Sequence, residues 1–106
     1  MAQKNARRLA PIHPGKVLKE DLEDVGVSIN QLGRELRVPV NRISAIVNGR
    51  RGITADTALR LAQYFGNSAQ YWMNLQALYD LETVEPAKRE EIERDVRRLT
   101  AAGIHP

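Results

Sequence analysis

Residues 41–48, Asn-Arg-Ile-Ser-Ala-Ile-Val-Asn, combine side chains suited to reading a nucleic acid with apolar ones suited to holding them in place. With 100° per residue and Ile43 as origin, Ile46 and Val47 fall beside Ile43 as an inward stripe. Asn41, Ala45 and Asn48 fall nearly opposite, flanked by Arg42 and Ser44. This outward face holds no acid, whereas a plain solvated helix usually carries Glu and Lys there. An asparagine amide pairs bidentately with adenine, a guanidinium with guanine, and an alanine methyl meets a thymine methyl. Asn41, Arg42, Ser44 and Ala45 are therefore the candidate base-facing residues. Gly49-Arg50-Arg51-Gly52 follows at once, a turn with two fixed charges suited to salt-dependent, sequence-blind phosphate contact.

Other chemistries find little to work with. The absence of cysteine excludes disulfides, iron–sulfur clusters and cysteine-bound zinc, and is compatible with a reducing cytosol. His13 and His105 have no partner nearby in sequence, and His13, before Pro14-Gly15, fits a turn or cap. There is no Gly-Lys-Ser/Thr, hence no phosphate-binding loop of that type. The acids lie on solvated helical faces, away from any nucleophile–base pair. No catalytic site, metal or cofactor is expected. The basic half also lacks an aromatic platform for single-stranded RNA.

The elements that must position these residues can be traced by their ends. The chain has 106 residues, enough for one domain, and no apolar run near the roughly 20 residues of a membrane span. Its start, Met-Ala-Gln-Lys-Asn-Ala-Arg-Arg, is basic with no apolar stretch behind it and is not read as a secretory signal. Residues 1–54 hold 10 Lys/Arg against 5 Asp/Glu, and residues 55–106 hold 6 against 8. The basic half contains the candidate reading face, the polarity of a domain that meets phosphate at one end.

Residues 1–12 are expected to form an arm, with Lys4, Arg7 and Arg8 available to trail along a backbone. Pro14 fits the first turn of a helix, Val17/Leu18, Leu22 and Val25 recur at helical spacing, and Gly26 suits a left-handed C-cap. Ser28 starts a second helix with Gln31 three residues on, a capping box. Gly33 lies on that helix's apolar face, where close approach of another helix would offset its cost of about 1 kcal/mol. Arg37-Val38-Pro39 is a tight break before the third, base-facing helix. Thr54 is the expected cap of a fourth helix closed by Gly66, and Ser68 of a fifth running to about Leu81.

The fifth helix is apolar on nearly every side, which calls for cover on every side. Tyr71, Trp72, Leu75, Leu78 and Tyr79 are read as a subunit interface or partner groove. Residues 82–85 link to a sixth helix from Pro86 to about Ala101, charged except for a narrow stripe of Ile92, Val96 and Leu99. That stripe would dock on the fifth helix of the same or a neighbouring subunit. The organisation expected is an arm over 1–12, a DNA-binding domain over 13–81 and a docking helix over 82–106.

From His13-Pro14-Gly15 to Tyr79-Asp80-Leu81 the chain resembles the HigA-type antitoxins, or VapI group, within the lambda-repressor-like (Xre) helix-turn-helix family. The carrying residues include Ser28-Ile29-Asn30-Gln31-Leu32, Asn41-Arg42-Ile43-Ser44, Ile46 through Thr54, Thr57 through Leu61, and Trp72-x-x-Leu75-Gln76. The resemblance implies an all-α, lambda-repressor-like domain of five helices with an added C-terminal helix. It implies a cytoplasmic, homodimeric repressor that binds a palindromic double-stranded operator and neutralises a HigB-like mRNA endonuclease toxin. It passes base contact to Asn41, Arg42, Ser44 and Ala45, and phosphate contact to Gln31, Asn48 and Arg50, beside which Arg51 supplies a second charge. One residue departs from the pattern: Arg37 stands where the motif turn usually has glycine. A solitary regulator without toxin, and a module acting mainly on a partner protein, are the alternative readings.

Overall fold

The helices stop where the sequence supplies residues able to stop them. The computed structural model describes residues 10–100, and these form six helices and no strand. They are α1 (Pro14–Val25), α2 (Ile29–Leu36), α3 (Val40–Val47), α4 (Ala55–Phe65), α5 (Ala69–Glu82) and α6 (Pro86–Asp95). The all-α, lambda-repressor-like expectation is met. Most of the 1–12 arm, and His105, lie outside the described residues.

His13 caps α1: its Nδ1 accepts from the Gly15 N–H at 2.9 Å, and Pro14 occupies the first turn. The residue expected in a turn or cap thus sits in a cap. Gly26 and Gly66 close α1 and α4 in the left-handed region, at φ 72° and 77°. The Ser28 and Ser68 hydroxyls each accept the N–H three residues on, at 3.0 Å. Thr54 departs from expectation. Its side chain makes no cap bond and turns instead toward the Thr57 hydroxyl, 3.5 Å away.

The core lies between α1, α2, α3, α4 and the start of α5. Leu18, Leu22, Leu32, Leu36, Ile43, Ile46, Ile53, Ala58, Leu61, Ala62 and Trp72 form one buried cluster. Two close backbone approaches set its geometry. A Cβ on Gly15 would lie 1.8 Å from the Ile46 carbonyl oxygen, so α1 begins directly against the end of α3. A Cβ on Gly33 would lie 3.3 Å from both the Val38 oxygen and the Val40 Cα. This is the helix crossing that the position of Gly33 calls for.

Two expectations for the C-terminal third need correction. Trp72, assigned to an outer interface, is fully buried, with its indole N–H donating to Asn67 Oδ1 at 2.9 Å. It meets Tyr71 edge-on and Phe65 at a tilt, and belongs to the core. The sixth helix ends at Asp95, not near Ala101, and Val96 is already extended (φ −100°, ψ 115°). Every residue of α6 is exposed, so no tertiary packing supports its propagation.

Candidate nucleic-acid interface

The third helix is held from behind and at both ends. Ile43 and Ile46 are fully buried against the core, which fixes the opposite face outward. The chain enters α3 from a reversal at Arg37 (φ 60°, ψ 44°), the one non-glycine left-handed residue among those described. Val38 N–H donates to Gly33 O at 3.0 Å and Arg37 N–H to Arg34 O at 3.2 Å. This is a Schellman closure with arginine in the position that favours glycine. The same closure ends α3: Arg50 N–H donates to Ala45 O at 2.8 Å and Gly49 N–H to Ile46 O at 3.0 Å. Here Gly49 takes the left-handed position, at φ 75°.

Asn41 is exposed, and its amide makes no hydrogen bond among the described residues. Ser44 and Ala45 are half-buried on the same side. Asn48 is exposed but partly committed: its Nδ2 donates to Ser44 O at 2.9 Å and lies 3.4 Å from Ser44 Oγ. Gln31 sits in the first turn of α2, half-buried, its backbone N–H on the Ser28 hydroxyl. Arg50 and Arg51 are exposed and without an ion-pair partner among the described residues. Val40, which the sequence reading left out, opens α3 with 39% of its surface exposed. Its place at the first helical position is the signal that would have found it.

Arg42 is placed differently from the others. Its Nη1 donates to Asp56 Oδ2, in the first turn of α4, at 2.8 Å. Arg60 Nε donates to the same oxygen at 2.9 Å, while Arg60 Nη1 donates to the Leu36 carbonyl at 2.8 Å. The end of α2, the start of α4 and the flank of α3 are thereby joined. Arg60, then Arg42, holds the Asp56 carboxyl below its ordinary value near 3.8. The tie is present above that pH and is lost on acidification through the lowered native value.

A second long-range tie fixes the turn after α3. Gln76 Oε1, on α5, accepts the Ile53 N–H at 2.7 Å, and Gln76 Nε2 donates to Asp80 Oδ1 at 2.9 Å. Gly52 is packed on that amide, where a Cβ would lie 2.9 Å from Gln76 Oε1. The motif containing Gln76 was visible in the sequence; its partner, 23 residues away, was not.

The remaining residues assigned to an interface are spread over α5 and the C-terminal segment. Tyr71 and Leu78 are exposed, Leu75 is half-buried, and Tyr79 stands half-buried with its ring 4.9 Å from that of His13. Ile92, Val96 and Leu99 are exposed, and Leu81 joins them. Among the described residues there is no group of three or more His, Asp or Glu able to hold a metal. No helix among them is long and apolar enough to cross a membrane.

A face of short polar groups on a helix packed behind a Schellman turn defines a helix-turn-helix protein. The helix-turn-helix family profile matches residues 18–72. Virulence-associated protein I of Dichelobacter nodosus is 51% identical over 74% of this chain and 73% of its own length. An addiction module antidote protein of the HigA family from Coxiella burnetii superposes with a TM-score of 0.80 at 46% identity, over 85% of this chain and 99% of that one. Pseudomonas aeruginosa antitoxin HigA, solved with the higBA promoter, gives a TM-score of 0.78 at 43% identity, over 85% of this chain and 99% of that one. The chain belongs to the helix-turn-helix family, in its HigA-type antitoxin branch.

Proposed function

We propose that this protein is a sequence-specific DNA-binding repressor and the antitoxin of a toxin–antitoxin pair. It acts in the cytoplasm, binds its own operator as a dimer, and catalyses no reaction. The observation that carries this reading is the outward face of α3: Val40, Asn41, Ser44 and Ala45, free of acids, beside the charges of Arg50 and Arg51, which have no ion-pair partner among the described residues. With α3 in the major groove, Asn41 offers both an acceptor and donors to an adenine edge, and the Val40 and Ala45 methyls meet thymine methyls. Gln31, Asn48, Arg50 and Arg51 serve the flanking phosphates. That a relative has been solved with promoter DNA supports the DNA-binding reading.

The exposed apolar side chains of α5 and the C-terminal segment are the surface for protein partners. Leu78 and Leu81, with Tyr71, Leu75 and Tyr79 at the margin, pair with a second subunit, and Ile92, Val96 and Leu99 extend the contact. In this division α1–α5 form the DNA-binding unit and residues 82–106 the docking segment. The same end of the molecule is the surface offered to a HigB-like toxin. The test is hydroxyl-radical footprinting of the DNA upstream of the protein's own coding sequence. The expected result is two protected patches on one face, about one turn or roughly 34 Å apart. Uniform protection, or none, would overturn the reading.

A further inference from the structure

The only charged residue of α3 is Arg42, and in the free protein its guanidinium lies on Asp56 rather than toward a groove. Asp56 has little freedom of its own. The oxygen that receives Arg42 also receives Arg60 Nε at 2.9 Å, and Arg60 is pinned at its other end to the Leu36 carbonyl. The carboxylate is thus fixed by α2 and α4 before it meets α3. Arg42 is held by a single nitrogen, and its Nε is buried with no partner.

A carboxylate at the edge of a DNA-facing surface lowers affinity for any phosphate. A free arginine at the flank of a reading helix that reaches phosphate rather than a guanine edge does the opposite, adding affinity without regard to sequence. Asp56 cancels that effect at the one position on α3 where it would arise. Resting on the DNA-binding reading above, we infer that Asp56 is a specificity-determining residue. It keeps Arg42 from sequence-blind phosphate contact, so that discrimination falls to the uncharged residues Val40, Asn41, Ser44 and Ala45.

The test is a double-mutant cycle on the full chain, Asp56→Asn against Arg42→Met, read by fluorescence anisotropy. The two probes are a duplex from directly upstream of the coding sequence and a duplex of equal length and composition with its order shuffled. Asp56→Asn is expected to raise affinity for the shuffled duplex roughly three- to tenfold and to steepen its log K against log salt slope by about one per subunit. The upstream-to-shuffled ratio falls. Adding Arg42→Met reverses most of the gain, and its effect on the shuffled duplex is several-fold larger in the Asp56→Asn background than in the unaltered protein. Should Asp56→Asn lose helicity, Asp56→Ser, uncharged and tolerated in a helix's first turn, replaces it.

Three results would overturn the inference alone: an unchanged ratio, equal effects of Arg42→Met in both backgrounds, or a lowered melting temperature with an unmoved salt slope, which marks a structural role for Asp56. Failure of the unaltered protein to prefer the upstream duplex would instead overturn the DNA-binding reading, and this inference with it.

Discussion

Two residues in the motif occupy positions whose backbone demands differ from what a side chain tolerates. Gly15 has no room for a Cβ, because the Ile46 carbonyl oxygen would stand 1.8 Å away and neither helix backbone can yield cheaply. Gly15→Ala is expected to push α1 off α3 and cost about 3 kcal/mol, at the upper end of ordinary overpacking. Thermal unfolding followed by circular dichroism would show this as a clear fall in Tm. Arg37 is the reverse case. It sits at φ 60° with its side chain exposed, so the conformation costs it on the order of 1 kcal/mol against glycine. Arg37→Gly is expected to stabilise the fold by up to about that amount in urea titration, since the turn geometry is already the one glycine prefers.

At the scale of elements, the helices with strong punctuation were legible and the long-range ties were not. Ser28, Ser68, Gly26 and Gly66 mark their helix ends through local chemistry, so α1, α2, α4 and α5 could be placed from neighbouring residues alone. Gly33 was legible for the same reason, as a glycine on an apolar face. Trp72 was misplaced because α5 is apolar on nearly every side, and no periodicity says which side meets the core. The last turn of α6 was overextended because a stripe of Ile92, Val96 and Leu99 satisfies the pattern without supplying anything to pack against. On the candidate site, the exposure of Asn41 follows from burial of Ile43 and Ile46, which the pattern contains. The capture of Arg42 by Asp56, 14 residues on, follows from where the turn after α3 brings the start of α4, which it does not. Gln76 belongs to this second group. It carries the only side-chain hydrogen bond between α5 and the turn after α3 among the described residues. Gln76→Leu leaves the part-buried Ile53 N–H unpaired and is expected to cost about 1–2 kcal/mol in urea titration. It also releases the segment bearing Arg50 and Arg51, so amide exchange at Ile53 should quicken well beyond that of the α1 core.

The whole molecule is longer than its size requires. The radius of gyration is 18.2 Å and the extents are 56 × 32 × 22 Å, whereas a compact chain of about 100 residues has a radius near 13 Å. The C-terminal α6 has no buried residue to hold it against the core. Leu81 and Leu99 are 62% and 71% exposed, apolar surface that costs solubility unless something covers it. Covered by a second subunit, it brings two copies of α3 into one assembly, which matters because one short helix with few base contacts binds DNA weakly. Leu78→Asp with Leu81→Asp is expected to shift sedimentation toward the monomer with little change in Tm, since neither side chain is in the core. Operator affinity should fall in parallel.

The central claim is that the outer face of α3 reads base sequence, and Asn41 tests it with one side chain. Affinity of Asn41→Ala for the upstream duplex, set against a shuffled duplex in anisotropy at fixed salt, is the direct measurement. Loss of one bidentate contact, worth about 1–3 kcal/mol in each half-site, predicts a fall of at least tenfold for the upstream duplex. Binding to the shuffled duplex should remain within about twofold, because phosphate contact by Arg50 and Arg51 is untouched. Upstream affinity that stays within twofold of the unaltered protein, with the fold intact, would contradict the assignment of α3 as the reading helix.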